Sequence, residues 1–222
     1  MARPRKNPPD SSAQVVSSLP SRQKIMACAQ KLFLKKGFEG VNIREIMEEA
    51  DVTQPAIYYY FKNKDGLFLA VLLQTLEELD RKFAQAARKE TFLEQLEGLI
   101  GLFSDPDGPS LSLLFKDLQR RVELNARFPE QGITLQEARK AFLFVNQNWP
   151  RALETLLRDA RYNGEVQTSD TGFVAHYLLT LLTAYAHSPF LPGLSYEDIE
   201  PKDKLLNYLK TTMKISSSSA QI

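Results

Sequence analysis

Residues 41–64 read VNIREIMEEADVTQPAIYYYFKNK, two short helical patterns joined by a tight corner. The first carries Ile43, Ile46, Met47 and Ala50 at helical spacing. The second offers only Ile57 and Phe61, four apart, as a stripe that could be buried. A helix anchored this narrowly has to lie across its neighbour, which leaves Gln54, Pro55, Ala56, Tyr58, Tyr59 and Tyr60 around the rest of its surface. Successive residues on a helix are about 100° apart, so three consecutive tyrosines cannot share one face and some of them meet solvent. Two short helices in this relation form a helix-turn-helix, whose second helix is shaped to enter the major groove of DNA.

The side chains on that second helix suit the task. Gln54 can bond an adenine through both ends of its amide, and Pro55 and Ala56 can pack on a thymine methyl. Lys62 and Lys64 follow the helix and can meet phosphates. Asn63 is placed to cap the next helix, whose free N–H groups make a second phosphate site.

Charge is distributed in keeping with a polyanion partner. Residues 1–64 hold 11 Lys/Arg against 6 Asp/Glu, and the remainder holds 17 against 21. The chain as a whole carries a formal charge of only +1, so the basic excess belongs to the N-terminal end. Residues 1–20 are rich in Pro and Ser, with Arg3, Arg5 and Lys6 near the start, the composition of a disordered basic arm.

Around the helix-turn-helix the pattern is helical throughout. Ser21 is the expected N-cap of a first helix that Gly37 stops. Asn42 is the expected cap of the second, with Glu45 as its capping-box partner. Asp51 stands at the corner, and the third helix starts near Thr53 with Pro55 in its first turn. Asn63 opens a long fourth helix. Further helices are expected over 91–103, 111–127, 134–162, 168–187 and 201–214, with a loop at 104–110 and a loose tail at 216–222. Pro150 lies inside the 134–162 pattern and predicts a break near Asn148. There is no useful period-2 pattern.

At this point residues 32–68, LFLKKGFEGVNIREIMEEADVTQPAIYYYFKNKDGLF, resemble the N-terminal domain of the TetR family of bacterial transcription regulators. The likeness rests on Gly37 and Phe38 after the first helix, Arg44 in the capped second helix, and the turn from Ala50 to Thr53. It continues through Tyr58 and Phe61 and then Lys62 and Lys64. Two positions depart from the usual pattern. Asp51 stands where glycine is common, and tolerates the left-handed geometry a turn needs; Asn42 stands where Thr or Ser is common, and caps as well.

The resemblance implies an all-α fold: a three-helix helix-turn-helix domain over 21–66 and a larger helical ligand-binding and dimerisation domain over 67–215. It implies DNA contacts from Arg44, Thr53, Gln54, Pro55, Ala56, Tyr58, Tyr59, Tyr60, Lys62 and Lys64. It also implies a homodimer reading a palindromic operator, and a repressor released by a small hydrophobic or aromatic effector. The dimer is expected through helices 168–187 and 201–214. Candidate effector contacts are Phe103, Phe115, Arg120, Phe142, Asn146, Trp149, Phe173, His176 and Tyr177, the aromatic and isolated polar residues of the body.

Nothing in the chain points to an enzyme. Two histidines, one cysteine, no glycine-rich phosphate loop and no metal-ligand spacing leave no expected catalytic residue, metal or cofactor. Cys28 alone cannot form an internal disulfide, no apolar run is long enough to span a bilayer, and residues 1–20 lack a signal-peptide stretch. A cytoplasmic protein is expected. The competing expectation is a helical interaction scaffold that uses the aromatic helix for protein contact.

Overall fold

The computed structural model describes residues 20–103, 111–187 and 202–215; the N-terminal arm, the 104–110 loop and the 216–222 tail expected from the sequence lie outside them. Helices α1 Ser21–Lys36, α2 Ile43–Ala50 and α3 Gln54–Phe61 form a small head. The body contains α4 Lys64–Ala86, α5 Phe92–Phe103, α6 Leu111–Arg127, α7 Leu135–Leu143, α8 Trp149–Tyr162, α9 Thr171–His187 and α10 Lys202–Met213. Among the described residues there is no strand, and the fold is all-α.

The head closes around α4. Ile25, Ala29, Leu32 and Phe33 of α1 are buried with Ile46 and Ala50 of α2, Ile57 and Phe61 of α3, and Leu67, Phe68, Val71 and Leu72 of α4. Phe33, Phe38 and Phe68 form its aromatic centre, with Phe68 edge-on to the other two at 5.4 and 5.2 Å. A polar link adds to the α1–α4 contact. The Gln30 amide donates to the Thr75 hydroxyl at 3.1 Å, and that hydroxyl donates to the Val71 carbonyl.

Local signals set most helix ends. Gly37 terminates α1 at φ +70°. Pro20, rather than Ser21, precedes the first helical residue; its carbonyl takes the N–H groups of Gln23 and Lys24, and because proline carries no side-chain acceptor no side-chain cap forms. Asn42 caps α2 by accepting the Arg44 N–H at 2.9 Å. Glu45 does not complete a capping box, because its carboxylate is taken by the Lys36 ammonium at 3.1 Å. Thr134 and Glu137 form a full capping box at the start of α7.

The break expected near Asn148 is a change of register. Phe144–Asn148 is a π-helical turn between α7 and α8, and the Trp149 N–H reaches the Phe144 carbonyl five residues back. Pro150 has no N–H to give to Asn146 and cannot continue an α-helical ladder, and the wider turn absorbs the mismatch without ending the helix.

Candidate nucleic-acid interface

The corner that aims α3 is made by Asp51, whose backbone is left-handed at φ 51°, ψ 55°. Its N–H and that of Val52 both turn back to the Met47 carbonyl. The geometry that glycine would supply is therefore reached by aspartate, one of the few other residues to enter it readily. Thr53 then begins α3 with extended backbone, and its side chain makes no capping bond. Its hydroxyl stands at a helix start carrying partial positive charge, and the missing N–H of Pro55 costs nothing there.

Ile57 and Phe61 are buried and fasten α3 to the head. On the outside, Gln54 and Pro55 are exposed and Ala56 is half-buried. Tyr59 is 83% exposed while Tyr58 and Tyr60 are each 41% exposed, so the three tyrosines spread over the outward half of the helix. The Tyr59 and Tyr60 rings meet edge to face at 5.1 Å.

Beside α3 runs a groove of about 770 Å³ whose walls include Asn42, Arg44, Gln54, Tyr58 and Lys64. Arg44 lies exposed along it, loosely paired with Glu48 one turn on at 3.3 Å. An exposed i,i+4 pair of this kind contributes only about 0.3–0.5 kcal/mol, so the guanidinium is available to another anion. Lys64 is half-buried, and its ammonium sits 4.1 Å from the Phe38 ring centroid. Burial pulls its pKa below the ordinary lysine value, and the charge of Glu39 opposes that shift.

Lys62 stands on the opposite side. It lines a second cleft with Arg22, Tyr59, Tyr60 and Glu137. The two lysines diverge because the chain reverses sharply between them. Lys62 has φ 61°, ψ −49°, and the Asn63 N–H closes a three-residue turn on the Phe61 carbonyl at 2.6 Å. Asn63 then caps α4 by accepting the Gly66 N–H at 2.8 Å. Arg22, which the sequence reading passed over, lies 5.4 Å from the Phe61 ring at this edge of the head.

Residues 25–71 match the family described as bacterial regulatory proteins, tetR family. Those residues carry the N-terminal domain of the TetR family. Over 204 residues it is 26% identical to the uncharacterized HTH-type transcriptional regulator YvkB of Bacillus subtilis (strain 168), covering 90% of this chain and 98% of that protein. It is 28% identical to the HTH-type transcriptional repressor AcnR of Corynebacterium efficiens over 130 residues, 57% of this chain and 65% of that one. Its fold is similar to that of the transcriptional regulator FadR from Bacillus subtilis, solved in complex with stearoyl-CoA. There the TM-score is 0.58 at 18% identity, covering 85% of this chain and 97% of that one. The TetR-family reading of residues 32–68 thus holds, and the chain is similar to DNA-binding transcription regulators of that family.

The aromatic and polar residues expected to line an effector cavity are not gathered in one place. Phe115 and Phe142 are half-buried with ring centroids 6.4 Å apart. Trp149 is buried and donates its indole N–H to Asp80. Phe142 and Asn146 line a shallow groove of about 540 Å³ with Leu135, Gln136, Arg139, Leu143 and Gln147. Asn146 is exposed and returns its amide to the Phe142 carbonyl. Arg120 is exposed, and the side chain of Phe103 lies outside the described residues. Phe173, His176 and Tyr177 are all exposed on the outer face of α9, because Ala175, Leu178, Leu179 and Leu182 take its inner face. His176 turns its Nδ1 to the Gly172 carbonyl at 3.1 Å.

That outer face of α9 is aromatic. Phe173 stacks on Tyr177 at 6.4 Å, and Tyr177 meets Tyr208 of α10 through a hydroxyl–hydroxyl bond that pushes the Tyr177 phenol up. Among the described residues no group of His, Cys, Asp and Glu could hold a metal, and no helix is long and apolar enough to cross a membrane.

Proposed function

We propose that this chain is a ligand-responsive repressor that reads a palindromic operator as a homodimer. The observation that carries the reading is α3. It is fixed by two buried residues, Ile57 and Phe61, and turns Gln54, Pro55 and the Tyr59 ring outward beside a groove holding Arg44. In this reading Gln54, Pro55 and Ala56 face bases, as expected of the first turn of a recognition helix. Tyr58, Tyr59 and Tyr60 contact sugar and backbone, and Thr53 bonds a phosphate. Arg44 and Lys64 serve the strand along the groove, and Lys62 serves the strand on the other side.

The exposed aromatic face of Phe173, Tyr177 and Tyr208 supports pairing of α9 and α10 with the same helices of a second copy, in a four-helix arrangement. An effector is supported by the relative solved with stearoyl-CoA, and a hydrophobic one suits a body rich in aromatic side chains. Release follows when the effector prefers a conformation whose two heads no longer match the operator.

Selection of bound duplexes from a random pool at low salt, followed by titration of the winners against salt, tests the reading. A two-fold symmetric consensus with affinity falling steeply as salt rises is the expected result. Recovery of random sequence, or binding indifferent to salt, would overturn it.

A further inference from the structure

The core-facing stripe of α6 runs Leu114, Asp117, Leu118, Arg121, with a carboxylate and a guanidinium at positions that packing alone would fill with apolar side chains. Both reach out of the body into the head. The Asp117 carboxylate is 6% exposed and accepts the backbone N–H of Phe38 in the α1–α2 turn. The turn is shaped to admit it. Gly37 has φ +70°, and a Cβ there would stand 3.0 Å from Asp117 Oδ2.

Arg121 makes the second attachment. It donates to both oxygens of Asp65, in the first turn of α4, at 2.6 and 3.0 Å, and its third nitrogen lies 3.6 Å from Glu39. Its guanidinium sits 4.5 Å from the Phe38 ring centroid. The Asp65 and Arg121 side chains are each 15% exposed, so this is a largely desolvated, two-bond pair rather than a surface contact. The Arg121 backbone is held as well. Its carbonyl accepts the Ile133 N–H at 3.1 Å, and a Cβ on Gly132 would lie 2.2 Å from that oxygen.

These two residues therefore tie the α1–α2 turn, the start of α4 and the α6–α7 loop to one helix. Helices α2 and α3 pack on α1 and on each other, α3 also packs on α4, and α1 packs on both α4 and α6 of the body. The angle of the recognition helix on the body is thus set by α4 together with this clasp. Replacing a buried ion pair by apolar side chains is often neutral or stabilising, so stability alone does not account for it.

We propose that Asp117 and Arg121 are positioning residues for operator reading. By fixing the head at one angle on the body, they set the half-site spacing that two copies can read at once. The inference rests on the DNA-reading homodimer proposed above, and its test has an arm that needs no DNA.

Spin labels are placed at Lys35 of the head and Arg127 of the body, both exposed, as Lys35→Cys and Arg127→Cys in a Cys28→Ala background. The protein is diluted with unlabelled chain so that only distances within one chain are read. A narrow distance distribution is expected with Asp117 and Arg121 intact. A broadened or shifted one is expected in Asp117→Ala and Arg121→Gln at unchanged helix content. Asp117→Asn, which keeps an acceptor oxygen for Phe38, should recover most of the narrow distribution. Unchanged distributions in both variants overturn the inference, whether or not DNA is bound.

The second arm uses a duplex selected by the intact protein. Adding or removing one base pair between half-sites turns one of them by about 35° and should cost the intact protein at least about tenfold in affinity. Asp117→Ala should lose less than about threefold on the same change while binding an isolated half-site as the intact protein does. Equal spacing discrimination overturns the inference. If neither protein binds any duplex, it is the DNA reading that falls, and the distance distributions still decide the clasp.

Discussion

The indole N–H of Trp149 donates to the Asp80 carboxylate at 3.2 Å, joining the first residue of α8 to the C-terminal third of α4. Trp149 is 1% exposed and directly precedes Pro150, so the bond sits where the π-helical turn hands over to α8. The wider turn is what brings the tryptophan onto α4, the helix shared by head and body.

Trp149→Phe keeps most of the buried ring and removes the donor. The loss of a hydrogen bond to a charged acceptor, with a small cavity, is expected to cost about 1.5–3 kcal/mol. Urea unfolding should show a lower midpoint at unchanged slope. An unchanged midpoint would mean that the Asp80 contact contributes nothing.

Lys62 occupies a backbone region that strains any residue with a Cβ. Lys62→Gly should therefore stabilise the fold by about 0.5–1 kcal/mol, despite the greater freedom glycine gives the unfolded chain. The thermal midpoint should rise by a few degrees. A fall would show that the turn is unstrained, or that the Lys62 side chain holds the fold together.

Glu137 gives the acid side of the stability profile a specific contributor. The Thr134 hydroxyl and then the Thr134 N–H, at 2.7 and 2.9 Å, donate to its carboxylate and hold its pKa below the ordinary value of 4.5. A carboxyl whose pKa is lowered by folding adds stability above its unfolded value and loses it as pH falls through the lowered one. Stability at the start of α7 should thus decline from about pH 4.5 downward, modestly, since Glu137 is exposed and solvent screens the effect. Glu137→Gln should be less stable at neutral pH and flatter across that range. A variant with the same acid slope would contradict the assignment.

Much of the head was legible in its sequence because its signals are local. Asn42, Asp51 and Asn63 each act on backbone within a few residues, and Ile57 and Phe61 define a stripe that nothing else in α3 could provide. Glu45 was misread because its partner, Lys36, comes from the preceding helix rather than from its own cap. The π-helical turn was read as a break, since one proline predicts a lost hydrogen bond but not how the chain recovers it. Asp117 and Arg121 did leave a trace, two charges in the apolar stripe of α6, but their partners Phe38 and Asp65 are far away in sequence. The candidate effector residues lie apart from one another for the same reason. Composition identified aromatics, and only packing decides which face of α9 carries Phe173 and Tyr177.

The most direct measurement is the affinity of the intact protein and of Gln54→Ala for a panel of duplexes, each differing from the selected operator at one base pair. Gln54 should discriminate at one position in each half-site, so the variant should lose about 1–3 kcal/mol on the operator and become indifferent there while the other positions keep their profile. A variant with the same profile as the intact protein at every position would contradict the assignment of α3 as the helix that reads bases through Gln54.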